Sequence, residues 1–166
     1  GFVSKIPVIR VMPNISLSIG FSPSCYALGS YVSDKDENIF LNIFQNLGSV
    51  IKIEEYQMDA VTGLSGSGPA YVFLFLKALT EGGVKAGLSS EISKKLALDT
   101  FYGAVLMASK TDKSFDELIA MVKTPGGTTE KGLLKLEEYN LERAVGEAVV
   151  KATERSKELG EIYGKC

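Results

Sequence analysis

Histidine and tryptophan are absent from the 166 residues, and there are only two cysteines and five prolines. Without histidine there is no Ser-His-Asp or Cys-His catalytic system, no imidazole metal ligand and no imidazole pH switch. Cys25 and Cys166 stand far apart with no neighbouring ligand residues, which excludes a disulfide framework and a zinc site from the reading and leaves a reducing cytoplasm as the expected location. Long apolar runs are missing too. The longest, Ala70 to Leu76, falls far short of the roughly 20 residues needed to span a bilayer, so no membrane partner is expected. Charge of one sign is also lacking: 18 basic and 20 acidic residues leave a net charge of -2, with no basic tract to meet a phosphate backbone, so nucleic acid is not an expected partner. No basic segment and cleavage site opens the chain at Gly1, and a trimmed beginning is expected.

What is present divides near residue 54. Val8 to Met12, closed by Pro13 and Asn14, reads as a β-branched strand, and Tyr26 to Val32 as a second. Ser33 with Asp36 three positions on forms a capping box. It opens a helix carrying Ile39, Phe40, Ile43, Phe44 and Leu47 at 3.6-residue spacing, ended by Gly48. Val50 to Ile53 then reads as a short strand. Three strands with one helix predict an unfinished sheet, because a parallel arrangement needs helices over both faces.

From about Glu54 the pattern turns to helix after helix. Pro69 suits the first turn of a helix over Ala70 to about Glu81, apolar nearly all round and therefore in need of burial inside a domain or against another chain. Gly82, Gly83 and Gly87 predict the following turn. Ser89 or Ser90 caps a helix to about Lys110, and Ser114 with Glu117 makes a second capping box for a helix through Val122. The last helix, Leu141 to about Tyr163, repeats Ala144, Ala148 and Ala152 every fourth residue, which allows close approach of a neighbouring helix.

The strongest local signal for chemistry is Thr124-Pro125-Gly126-Gly127-Thr128-Thr129. Two glycines without side chains precede a helix start whose free amides and dipole favour a small anion. With Thr128 or Thr129 as the cap, the position three residues on holds Lys131 or Gly132, so a bound anion would replace the missing acid. The same residues also read as a plain Pro-Gly-Gly turn with a threonine cap. Gly63-Leu64-Ser65-Gly66-Ser67-Gly68 fails as a dinucleotide fingerprint, since Tyr71 stands at the closing glycine position and helical sequence rather than a strand precedes it; the segment reads instead as the loop of a tightly packed helix-loop-helix. Glu55 and Asp59 share a helical face four residues apart, a spacing that fits either a solvated face or a carboxylate near a cationic substrate group.

Together Asp59 to Val72, Gly82 to Leu88 and Thr124 to Thr129, in this order and spacing, resemble pyrroline-5-carboxylate reductase. Arg10-Val11-Met12-Pro13-Asn14 is similar to the family's segment near the end of its cofactor domain. The resemblance implies a mainly α chain: a remnant of a Rossmann-like dinucleotide-binding domain over residues 1–54, then a helical dimerisation and substrate-binding domain over 55–166. It implies reduction of 1-pyrroline-5-carboxylate to L-proline by NADPH or NADH, the last step of proline biosynthesis. A homodimer, within a ring of dimers in many members, is implied as well. By the same resemblance Thr124, Gly126, Gly127, Thr128 and Thr129 hold the substrate, with Thr129 reaching the ring nitrogen as the catalytic residue. Glu55 matches a substrate-proximal acid, and Met12, Pro13 and Asn14 are the expected cofactor contacts; no metal is implied.

The family's phosphate loop and first βαβ units have no counterpart here, so the 166 residues alone are expected neither to bind NADPH tightly nor to turn over. Where the family continues Thr-Pro after the asparagine, this chain has Ile15 and Ser16. Met121, at a place where some members carry a polar residue near the cofactor, has no assigned role. The rival readings are a related imine or β-hydroxyacid reductase and a stand-alone helical dimerisation module without catalysis.

Overall fold

A computed structural model describes residues 5–164. In chain order the described residues form β1 (Ile9–Met12), β2 (Ser24–Leu28), α1 (Asp34–Phe44), β3 (Val50–Lys52), α2 (Met58–Val61), α3 (Gly68–Lys85), α4 (Ser90–Ser109), α5 (Phe115–Val122), α6 (Thr128–Glu138) and α7 (Leu141–Tyr163). Cys166 lies outside the described residues. The chain packs as two compact units: the residues up to Ala70 together with those from Val145 onward, and Tyr71–Ala144.

The first unit holds the sheet, in the order β1-β2-β3. β2 and β3 pair in parallel, with Ser24 opposite Val50, and α1 is the crossover between them. β1 departs from the expected parallel arrangement: it runs antiparallel to β2, with Ile9 opposite Leu28 and Met12 opposite Cys25. Its link to β2 is a single 3-10 turn, Ile15–Ile19, closed by Gly20 with φ 74°, and no crossover helix intervenes to make the pairing parallel. β2 also begins and ends earlier than the Tyr26 to Val32 run suggested. Ser24 already pairs through its amide with the Ser49 carbonyl at 2.8 Å, while Gly29, its amide still donating to the Val8 carbonyl just ahead of β1 at 2.9 Å, starts a turn that the Val32 amide closes on the Gly29 carbonyl.

As the central strand, β2 is buried from Ser24 to Ala27. Tyr26 lies 4.7 Å from the Phe40 ring of α1, and Phe40 stacks on Phe44 at 4.5 Å, which joins helix to sheet. Burial pushes the Cys25 thiol up from its ordinary pKa, away from thiolate chemistry. The Ser33–Asp36 capping box forms as expected, but α1 gives way to a 3-10 turn over Gln45–Leu47 before Gly48.

Where a loop was expected before Pro69, the chain stays helical. α2 passes into a π turn, Thr62–Gly66, in which the Ser67 amide reaches back five residues to the Thr62 carbonyl at 2.9 Å. Buried Gly63 lets this turn meet α7: a side chain there would run into the Val149 carbonyl and the Thr153 amide. Ser156 of α7 donates to the Asp59 carboxylate at 2.7 Å one turn away.

In the second unit α3 continues through Gly82 and Gly83 to Lys85, and the turn rests on Gly87 alone, with φ 106°. Gly83 serves packing instead: a Cβ there would overlap Ser93 of α4, whose hydroxyl donates to the Thr80 carbonyl at 2.7 Å. Ser89 caps α4 and the Ser114–Glu117 box opens α5, both as the sequence predicts. Of this unit only Ser93 and Ala97 are buried. The all-round apolar α3 has no buried residue within this chain.

Candidate functional site

The Thr124–Thr129 loop joins α5 to α6. Gly126 takes the left-handed conformation, φ 72°, that only glycine adopts at no cost, and Gly127 follows in extended geometry as the residue that caps α6. A side chain on Gly127 would overlap the Thr124 hydroxyl, so the loop closes on itself around Thr124. The Gly127 amide donates to the Thr124 carbonyl at 2.9 Å.

The cap lies one residue earlier than a threonine cap would place it, and this changes the electrostatics. Three residues beyond Gly127 stands Glu130, not Lys131 or Gly132. Its carboxylate accepts the Gly126 amide at 2.8 Å and pairs with the Lys123 ammonium at 3.8 Å. An internal carboxylate thus occupies one donor of the expected anion site. No side chain caps the start of α6, so the Thr128 and Thr129 amides remain directed out of the helix end. Thr128 is exposed. Thr129 is half-buried and lines an apolar cavity of about 590 Å³ with Phe101, Val105, Phe115, Ile119 and Leu133.

The other expected site residues belong to the first unit. Met12, Pro13 and Asn14 follow one another at the end of β1, all half-buried. Asn14 is tied on every side: its amide donates to the Ser22 hydroxyl at 2.9 Å, its side-chain amide donates to the Ser65 carbonyl in the π turn at 3.1 Å, and its side-chain oxygen accepts the Ser16 amide at 2.9 Å. It joins the end of β1 to the π turn. Met12 and Pro13 offer apolar surface, and the Met12 sulfur lies where a side chain on Gly66 would begin to touch it, at 3.7 Å. Such a surface fits the face of a flat ring. No glycine-rich phosphate loop of the G-x-G-x-x-G type occurs in the sequence.

Glu55, exposed at the start of a 3-10 turn, pairs with the Arg10 guanidinium of β1. Asp59 turns to Ser156 instead, so the two carboxylates that share a spacing of four do not act as a pair. Among the described residues no cluster of three or more His, Cys, Asp or Glu side chains could hold a metal.

Two participants escaped the sequence reading. Arg10 carries no local sign of meeting a residue 45 positions away. Glu130 does: with glycine admitted as a cap, Gly127 and Glu130 stand at capping-box spacing.

Residues 55–159 match the family model described as pyrroline-5-carboxylate reductase dimerisation. The chain is 45% identical over 151 residues to the pyrroline-5-carboxylate reductase of Glycine max, covering 91% of this chain and 55% of that protein. To that of Methanosarcina acetivorans it is 42% identical, with 92% and 57% covered. Among solved structures, Plasmodium falciparum pyrroline carboxylate reductase with NADP bound superposes with a TM-score of 0.92 at 39% identity, over 95% of this chain and 62% of that one. The 1-pyrroline-5-carboxylate reductase of Streptococcus pyogenes gives 0.90 at 30%, over 93% and 60%. The chain therefore spans little more than half the length of the curated relatives it matches. With the helical segment matched from Glu55 onward and the β1 to β3 segment superposing ahead of it, the chain belongs to the pyrroline-5-carboxylate reductase family.

Proposed function

We propose that residues 55–166 form the substrate-binding and dimer-forming part of an enzyme that reduces 1-pyrroline-5-carboxylate to L-proline, and residues 1–54 the closing segment of its cofactor domain. The observation that carries the reading is the start of α6. In a chain of this family, two outward amides without a capping side chain stand beside the Thr129 hydroxyl, behind glycines that keep side chains out of the way.

The substrate is a cyclic imine bearing a carboxylate, and its reduction adds hydride at the imine carbon and a proton at nitrogen. A bound NADPH or NADH supplies the hydride. The protein's task is to hold the ring and favour its iminium form. The Thr128 and Thr129 amides take the substrate carboxylate with the help of the α6 dipole. Gly126 and Gly127 leave the approach open, and the Thr124 side chain fixes their turn. The Thr129 hydroxyl bonds the ring nitrogen. Glu55 provides negative charge that favours the iminium, tempered by its pairing with Arg10. Met12 and Pro13 offer the apolar ledge for the nicotinamide face, and Asn14 holds that ledge in place. The 166 residues on their own, without a phosphate-binding motif, neither hold NADPH at micromolar concentration nor turn over.

Thr129→Ala in the complete enzyme tests the assignment. Loss of one hydrogen bond to a charged ring nitrogen lowers kcat/KM by about 10- to 100-fold, while thermal stability changes little. Unchanged steady-state kinetics would remove Thr129 from the site. A complete protein that dimerises yet oxidises no NADPH or NADH with this substrate would support the scaffold reading instead.

A further inference from the structure

We propose that Glu130 is a positioning residue for the substrate loop, an inference that rests on the reading of that loop given above. Its carboxylate bridges the two ends of the segment: it accepts the Gly126 amide at 2.8 Å and faces Lys123, the residue immediately before the loop, at 3.8 Å. Gly126 sits in a left-handed conformation of a residue that is otherwise free to leave it, so the loop's shape depends on what holds that amide. The Gly127 amide bond to Thr124 closes the turn but does not fix the peptide before it. Glu130 does so, and it is rooted in the first turn of α6, the same turn that presents Thr128 and Thr129.

The geometry also divides the labour among the loop's donors. Gly126 and Gly127 spend their amides inside the loop, and Thr128 and Thr129 keep theirs for the substrate carboxylate. Glu130 takes one donor of the expected anion site, the Gly126 amide, and leaves the Thr128 and Thr129 amides at the start of α6 uncapped by any side chain. Its charge is offset by Lys123, which limits the repulsion a second carboxylate would meet.

The hydrogen bond and the charge are separable. Glu130→Ala removes both, whereas Glu130→Gln keeps an oxygen to accept from Gly126. In the complete enzyme, Glu130→Ala raises KM for 1-pyrroline-5-carboxylate by about five- to tenfold, the worth of one hydrogen bond, with a smaller change in kcat. Glu130→Gln restores KM to the parent value or below it, because the acceptor returns and a negative charge beside the substrate is gone. A KM unmoved by Glu130→Ala, or a glutamine variant as impaired as the alanine variant, overturns the proposal. Amide hydrogen exchange at Gly126 gives a reading independent of turnover: faster in Glu130→Ala, protected in the parent and in Glu130→Gln. If the parent enzyme fails to reduce this substrate while that exchange pattern holds, the substrate assignment falls and the loop-positioning role stands. If the exchange at Gly126 is the same in all three proteins, the positioning role falls whatever the substrate.

Discussion

Single side chains in the first unit carry bonds that decide its response to pH and to substitution. Tyr26, 4% exposed, donates its hydroxyl to Glu37 at 2.7 Å, and Lys52 pairs with the same carboxylate at 3.0 Å. Burial, helped by the Glu37 charge, pushes the Tyr26 hydroxyl up to about 12. The Tyr26 bond, with Lys52 behind it, holds the Glu37 carboxyl below its ordinary range. The signs follow by linkage. A tyrosine whose pKa is raised on folding stabilises fully below the unfolded value near 10 and loses that contribution as pH climbs toward 12. A glutamate whose pKa is lowered stabilises above the ordinary glutamate range and loses it as pH falls through the folded value. Tyr26→Phe keeps the ring on Phe40, so its stability curve, followed by urea unfolding across pH, should flatten at both limbs. Retention of the alkaline fall would show that another group causes it. Asn14→Ala releases both the Ser65 carbonyl and the Ser16 amide and should cost about 1–3 kcal/mol of unfolding free energy. The sequence marks Asn14 as an expected cofactor contact but gives no sign of the joint it makes, because its partner Ser65 lies 51 positions on and only tertiary structure brings them together.

Elements were legible wherever their signals were local. The boxes Ser33–Asp36 and Ser114–Glu117 mark helix starts because the bonds span three residues and need nothing else. Ser114→Ala should therefore cost about 0.5–2 kcal/mol in thermal unfolding, with the loss traced to α5 by hydrogen exchange. Glycines misled for the opposite reason. Gly82 and Gly83 read as a turn and stand inside α3, since Gly83 answers to Ser93 of a later helix. Likewise Gly63, Gly66 and Gly68 suggest a loop, whereas the chain passes through a π turn because α7 needs the space at Gly63. Gly63→Ala presses a methyl group onto the Val149 carbonyl and the Thr153 amide, backbone atoms that cannot swing aside. Overpacking of this kind costs about 1–3 kcal/mol, and a variant as stable as the parent by denaturant titration would show that α7 can shift away from the turn.

At the scale of the whole molecule the helical unit lacks a core of its own. Phe73 is 60% and Phe115 75% exposed, and Leu74, Tyr102, Val105 and Val122 join them, while Ser93 and Ala97 are the only buried residues between Tyr71 and Ala144. An apolar surface of that extent does not persist in water on a monomer. The sequence made this demand visible in the all-round apolar α3, and in the proposed dimer a second copy covers it. Folding and association are then one equilibrium, so stability must depend on protein concentration. Each tenfold dilution of a two-chain fold removes about 1.4 kcal/mol per mole of dimer. The thermal midpoint should accordingly fall steadily over a hundredfold dilution, with loss of helical circular dichroism and of the sedimenting dimer together. Phe73→Glu, which places a charge on the exposed face of α3, should bring the same loss at concentrations where the parent remains folded. A midpoint independent of concentration, from a species sedimenting as a monomer with full helicity, would mean that these helices bury their apolar faces without a second chain.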